Sequence, residues 1–367
     1  MKIDLSTIDR TQFHVNEHVV NGEMLYLIIP QQMGCSWTKE NSIFRSSVWN
    51  SDGELVSAGF KKFVNWGEKP EVFPTPSSLK GATVMEKIDG STLIVSKYKG
   101  QFIIRTRGTV DASKMEKNGH EIEIFKNEVL PLLFKSHLVN GDTWNYSFIF
   151  EWTSNLNKIV LDYGDVPQFF LIGIVCHGDY RLSTQVELDN YAWELGLKRP
   201  ATYTFTDVAD LISNVELWEG KEGVCVYHNN DQYITKCKSF QYLKLHRFKS
   251  NATFENTVDL FFEYGMPSYQ EFEAKLIQTF DFECYQLVRG FISTICDGYK
   301  EVNKIVEGMK TFVNKIKSLP TRKEQAMTIF ASYGKESNRS SYIFSLLDGK
   351  TLEKEQLKKL LYQVTKM

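Results

Sequence analysis

Glu86-Lys87-Ile88-Asp89-Gly90-Ser91 is the stretch on which the reading of this chain turns. Ala82–Glu86 ahead of it has strand character, and Ser91–Lys97 behind it alternates, so the lysine closes one strand and Asp-Gly leads into the next. A glycine here lets the backbone approach a ligand closely. A lysine that acts as a nucleophile must be neutral when it attacks, which calls for a dry pocket or for neighbouring cations that lower its pKa. A K-x-D-G tetrad arises by chance in about 0.08 of chains this long, so its surroundings have to carry the argument.

Outward from that turn the chain reads as strands up to about residue 240. Tyr98-Lys99-Gly100-Gln101 turns into Phe102–Thr106, and Asn50-Ser51-Asp52-Gly53 joins Ser47–Trp49 to Leu55–Ala58 as a hairpin. Leu25–Ile29, Ser147–Trp152 and Gln168–Val175 are further strands. Gly223–Tyr227 and Tyr233–Cys237 form a hairpin around His228-Asn229-Asn230-Asp231. Helices are expected between Lys114 and Phe134 and between Ser183 and Leu195. Past residue 250 the period becomes helical. Ser268-Tyr-Gln-Glu271 is a capping box, and Tyr285, Val288 and Ile292 recur at helical spacing. Ile305, Met309, Phe312 and Ile316 do so again before Pro320, and Thr351 is placed to cap a last helix holding Leu357, Leu360, Leu361 and Val364. Strands followed by helices predict an α+β chain of two domains, 1–250 and an all-α 251–367. There is no internal repeat.

Composition narrows the class. The chain has 367 residues, 42% of them hydrophobic and 24% charged, which excludes disordered and collagen-like chains. Its 43 cations against 45 acids leave a net charge of −2, so any basic groove for nucleic acid must be local. The 25 Phe, 17 Tyr and 7 Trp can stack bases, although core filling is the commoner use. No apolar run reaches the ~18 residues of a membrane span. Met1-Lys-Ile-Asp-Leu-Ser lacks a signal-peptide core, and the six cysteines show no C-x-x-C. A reducing cytoplasm, no membrane and no zinc site are expected.

Several charged residues recur near strands. Phe148-Ile149-Phe150-Glu151-Trp152 sets one carboxylate in an aromatic strand, where an unpaired charge is costly. Glu222 opens a strand beside Gly223. Lys236 and Lys238, two apart, project from one strand face. Arg45 precedes a strand, Lys61-Lys62-Phe63 follows the next one, and Arg105-Thr106-Arg107-Gly108 is expected to set two cations on one strand face. A nucleophile, two acids and same-face cations form an inventory for phosphoryl transfer, with acids for a divalent metal or ribose hydroxyls and cations for phosphates.

This order resembles the covalent nucleotidyltransferase superfamily of ATP-dependent ligases and mRNA-capping enzymes. Lys87-Ile88-Asp89-Gly90-Ser91 is similar to its motif I, and Arg105-Thr106-Arg107-Gly108-Thr109 to the element that follows, with Arg107 where ligases often carry Lys. Phe150-Glu151, Glu222-Gly223-Val224 and Lys236-Cys237-Lys238 are similar to motifs III, IV and V. More closely, the chain resembles the bacteriophage T4 RNA ligase 1-like family. Arg45-Ser46-Ser47-Val48 resembles its Arg-Gly strand with Ser46 for Gly, and Lys61-Lys62-Phe63-Val64-Asn65 its Lys-Phe-Phe-Asn element with Val64 for an aromatic. Asn157–Leu161, Tyr242–His246 and Ser341–Leu347 are family-like as well.

The resemblance implies an antiparallel-sheet, ATP-grasp-like ligase domain. It implies Lys87 as the nucleophile that forms lysyl-AMP from ATP, with Lys236 and Lys238 on the α-phosphate. Glu151 and Glu222 would serve a hydrated Mg²⁺ or ribose. Arg45 and Lys62 would meet the pyrophosphate or an incoming 5′-phosphate, Glu86 the adenine amine, and Phe63, Asp89, Gly90 and Arg107 would complete the nucleotide site. RNA with 5′-phosphate and 3′-hydroxyl ends, such as a nicked tRNA anticodon loop in an infected host's cytoplasm, is the implied substrate of an expected monomer. Lys304, Lys310, Lys315, Lys317, Arg322 and Lys323 make the helical domain locally basic, for RNA docking. A DNA ligase or capping enzyme usually continues after motif V into a five-stranded barrel, where this chain reads as helices. A non-catalytic RNA-binding relative would not need Lys87, Glu151, Glu222, Lys236 and Lys238 together.

Overall fold

The computed structural model describes residues 1–31, 35–229, 232–249, 251–280, 282–334 and 338–365. Two compact units divide the chain, Met1–Lys249 and Ser250–Met367. The first is a mixed α/β unit with three sheets among the described residues. One has the order β1-β2-β3-β4, from Phe13–Val20, Glu23–Pro30, Ser47–Asn50 and Leu55–Ala58. A second has the order β10-β9-β7-β8, from Gln168–Cys176, Tyr146–Thr153, Ser91–Tyr98 and Gln101–Arg105. The third has the order β11-β6-β12-β13-β5, from Thr202–Tyr203, Ala82–Lys87, Gly223–His228, Tyr233–Lys238 and Val64–Asn65. All pairings are antiparallel except β13 with β5.

Strand alternation assigns the layers. In β9, Phe148, Phe150 and Trp152 point one way and join Phe125, Leu171, Leu188 and Leu195 in a core shared with the helix Gln185–Leu195. Burial of each such aromatic contributes about 1.5–3 kcal/mol. Ile149 points the other way and meets Ile94, Val175, Met85, Cys225 and Ile234, so the second and third sheets face one another across a shared apolar layer. The far side of the third sheet, Val84, Val224 and Val226, packs on Leu211 and Val215 of the helix Val208–Glu216. A polar seam also crosses the unit: buried Arg105 donates to Ser57 Oγ and Ser46 Oγ, and Ser96 links Ser57 to Ser147.

The second unit is helical: Phe254–Glu263, Tyr269–Thr279, Phe282–Ile316, Arg322–Tyr333, Asn338–Leu347 and Lys354–Thr365. The capping box at Ser268 and Glu271 is present. The two periodic stretches around Val288 and Met309 belong to one 35-residue helix, about 50 Å long, against which four of the others pack.

Two expectations need correction. The last helix starts at Lys354, and the Glu353 amide donates to Gln356 Oε1, so Thr351 lies too early to cap it. Strand β8 ends at Arg105, whose guanidinium is spent inside the protein, while Arg107 lies beyond the strand and is exposed, so the two do not share a strand face. The helix expected between Lys114 and Phe134 is present from Glu121 to Leu133, with a π-turn at Phe125–Val129. Three of the six cations of the basic stretch are matched by acids: Lys304 by Glu301, Lys310 by Glu307 and Arg322 by Asp348. Asn230 and Asp231, the tip of the second hairpin, lie outside the described residues. His14 and His18 have H-x-x-x-H spacing but sit on a strand, and no group of three or more His, Cys, Asp or Glu among the described residues is placed to hold a metal. All six cysteines are free, and no described helix is long and apolar enough to cross a membrane.

Candidate active site

The ladder of the third sheet brings the lysines together. Gly223 of β12 stands opposite both Lys87 and Lys238, and Cys225 opposite both Met85 and Lys236. Residues opposite one another share a face, so Lys87, Lys236 and Lys238 all project towards the second sheet. Lys87 Nζ donates to Glu222 Oε2 at 2.8 Å, and Lys238 Nζ lies 3.1 Å from Glu222 Oε1. The Glu222 side chain is 3% exposed, so one buried carboxylate clamps two ammonium groups. Gly223 is obligatory beside it. Its φ is +147°, and a Cβ would collide with the Cys237 carbonyl on β13.

The protonation of Lys87 departs from the expectation of a lowered pKa. Burial works against the ammonium, but Glu222, Cys225 and Glu151 outweigh it and the pKa is raised. Lys87 therefore rests as an ammonium held by Glu222, and the proton has to leave before attack.

Glu151 stands on the facing sheet, opposite Thr92 and Phe170 in the ladder. Thr92 Oγ1 donates to it at a long 3.4 Å. Burial pushes its pKa up to about 7 against the pull of Lys87. Arg45, half-buried at the end of a 3₁₀ turn, places its guanidinium 4.5 Å from the centre of the Phe63 ring. Its pKa falls to about 10 through burial and the nearby Arg107 charge, while Glu151 favours its charged form. Burial, Arg45 and Lys236 lower Lys62 to about 8. Arg45, Lys62, Lys236 and Arg107 are thus electrostatic neighbours.

Other candidate residues have structural work. Asp89 is buried: its Oδ2 accepts from the Val160 and Leu161 amides at 2.8 and 2.7 Å, and its Oδ1 from Tyr242 Oη at 2.8 Å. Its own amide donates to Tyr163 Oη. Asp89 thereby ties the Lys87 turn to the loop after β9 and to the helix Phe240–Lys249. A Cβ on Gly90 would strike the Trp152 carbonyl, so close strand packing, rather than approach to a ligand, requires glycine there. Glu86 is not brought to Lys87, because neighbours in a strand face opposite ways. Its carboxylate accepts from Tyr203 Oη at 2.6 Å and lies 3.4 Å from Lys221 Nζ on the far side of the sheet. Thr92, Tyr163 and Tyr203 escaped the sequence reading, since a lone hydroxyl carries no spacing signal, and Tyr242 entered it only as part of a family-like stretch.

The two acids differ as ion ligands. Glu222 is committed to two lysines, whereas Glu151 receives only a long hydroxyl contact and resists ionisation through burial, so a cation beside it would favour its charged form. A single weakly partnered carboxylate of this kind fits an ion that keeps most of its waters.

The model of the RNA ligase family matches residues 42–264, more than half of the chain. The RNA ligase of Rhodothermus phage RM378 is 26% identical over 342 residues, which span 75% of this chain and 76% of that protein. Among solved structures, a Naegleria gruberi RNA ligase mutant with AMP and Mn has a TM-score of 0.40 at 14% identity, covering 64% of this chain and 76% of the other. The same ligase with pyrophosphate has a TM-score of 0.39 at 14% identity, covering 64% and 77%.

Proposed function

The chain belongs to the T4 RNA ligase 1-like family of ATP-dependent RNA ligases, and from that premise we propose how its residues divide the reaction. Lys87 is the nucleophile. The observation that carries this is the single sheet face holding Lys87, Lys236 and Lys238, with Glu222 bridging Lys87 and Lys238. Glu222 is positioned to take the Lys87 proton. Nζ then forms a P–N bond to the ATP α-phosphorus as the P–O bond to pyrophosphate breaks. Lys238 and Lys236 neutralise the charge that grows on the α-phosphate, and Arg45 and Lys62 the charge on pyrophosphate. The 5′-phosphate of an RNA next takes AMP from Lys87, and a 3′-hydroxyl finally attacks that activated end and releases AMP.

A divalent ion, Mg²⁺ in this reading, would neutralise phosphate charge when bound, and Glu151 would hold it through water. The adenine amine remains open to backbone carbonyls at the end of β6 rather than to the Glu86 side chain. A nicked tRNA loop in the cytoplasm of an infected host is the natural substrate we propose, and this rests on the family resemblance. Labelled ATP tests the core of the reading. The protein should become covalently labelled and then join RNA ends, and a chain that folds but takes no label overturns it.

A further inference from the structure

Along β13 the residues on the Lys87 face are Lys238, Lys236 and Ile234. The two lysines lead away from the nucleophile at about 6.6 Å per step, and Ile234 borders a cavity of about 580 Å³. Phe60, Lys62, Phe63, Phe73 and Leu182 are among its other lining residues, and neither Lys87, Glu151 nor Glu222 borders it. Lys39 and Lys61 also line it. The cavity therefore lies along β13 beyond Lys236, on the side away from Lys238, and its volume falls within the roughly 300–1,000 Å³ range of small-molecule sites.

We propose that this cavity receives the 5′-terminal nucleoside of the RNA strand that takes AMP from Lys87. The inference rests on Lys87 carrying AMP, and the rest follows from in-line displacement. Pyrophosphate leaves the α-phosphorus on the side opposite Nζ when the P–N bond forms. In the next step a 5′-phosphate oxygen forms a P–O bond to that phosphorus, the P–N bond breaks, and the Lys87 nitrogen takes up a proton. The incoming phosphate must again stand opposite Nζ, on the side of Lys62 and Arg45. The nucleoside attached to it lies beyond those cations, where the cavity opens. Aromatic walls stack a base with little regard to its identity, and lysines at the border suit the next phosphate of the strand.

The test uses the AMP-charged, purified full-length protein and two 5′-phosphorylated oligoribonucleotides of equal length, one of them abasic at its first residue. The wild type should transfer AMP to the strand bearing the base with a kcat/KM at least ~10-fold higher. Phe73→Ala, at a half-exposed position, and Leu182→Trp, which fills the cavity, should bring the two strands within ~2-fold through KM, while charging from ATP stays within ~2-fold of wild type. Equal use of both strands by the wild type overturns the proposal. So does a preference that persists in a folded Phe73→Ala, and so does a fall in charging from ATP, which would give the cavity to ATP. A wild-type protein that never becomes charged refutes the Lys87 assignment instead.

Discussion

In the strand-built unit Asp89, Arg105, Glu121, Glu151 and Glu222 are each at most 9% exposed, whereas Thr257 and Ser340 are the buried polar residues described in the helical unit. The ion pairs described in the helical unit involve at least one solvent-exposed partner, and several close within a turn, as in Lys300–Asp297, Lys304–Glu301 and Lys310–Glu307. Taking a charge out of water costs several kcal/mol unless partners replace the lost hydration. The strand-built unit supplies partners at each site: serines for Arg105, backbone amides for Asp89, two lysines for Glu222. Glu151 is the least compensated of them, and there that cost has been left in place.

The sharpest break between the units should come from Lys87→Ala. Self-adenylylation should fall by about 1,000-fold or more, with sealing of pre-adenylated RNA retained and the unfolding temperature close to wild type. Residual labelling by ATP would move the nucleophile elsewhere. Leu361→Ala, in the apolar helical core, should cost about 2–5 kcal/mol in denaturant unfolding and leave labelling by ATP intact; a matching loss of labelling would show that the units are not energetically separate. Lys238→Ala and Lys236→Ala should each slow self-adenylylation about 30- to 1,000-fold, or about 2–4 kcal/mol, in a radiolabel time course.

Glu151→Gln should act through pH. The folded pKa of about 7 lies above the ordinary 4.5, so the folded state holds this proton more tightly than the unfolded chain. The resulting destabilisation is absent below pH ~4.5 and complete above pH ~7. Glutamine should therefore gain about 1–3 kcal/mol relative to wild type between pH 5 and pH 8, measured by chemical denaturation. Wild-type charging should rise through pH ~7, and the variant should lack that rise. The smallest effect belongs to Lys304→Ala, which removes an exposed pair worth about 0.3–0.5 kcal/mol. If it weakens RNA binding nonetheless, the helical surface has a function beyond its own stability.

The site was legible where chemistry and strand period coincide. Lys236 and Lys238 share a face by two-residue periodicity, which is visible in the sequence, but Lys87 joins them only through the pairing of β6 with the distant β12, which is not. The same periodicity, applied to Glu86, already argues against its side chain joining Lys87. Strand β1 was overlooked although Asn21-Gly22, with φ values of 51° and 78°, is a strong hairpin turn signal. The polar residues of Phe13–Val20 hid its alternation. Nothing local could distinguish Arg105 from Arg107, because the burial of Arg105 depends on Ser46 and Ser57, about 50 residues away in the chain. The same holds for Asp89, whose partners Val160, Leu161 and Tyr242 come from distant segments.

The cluster of Arg45, Arg107, Lys62 and Lys236 makes salt act on this protein with two opposite signs. Like charges held close by the fold repel one another, and added salt screens that repulsion, with a Debye length of about 10 Å at 0.1 M. If these cations hold phosphates as proposed, the same salt competes with RNA for them. Resistance to unfolding should climb with ionic strength while the grip on RNA declines. The ionic strength at which the ligase works best then lies between the dilute end, where it binds most tightly, and the concentrated end, where it lasts longest.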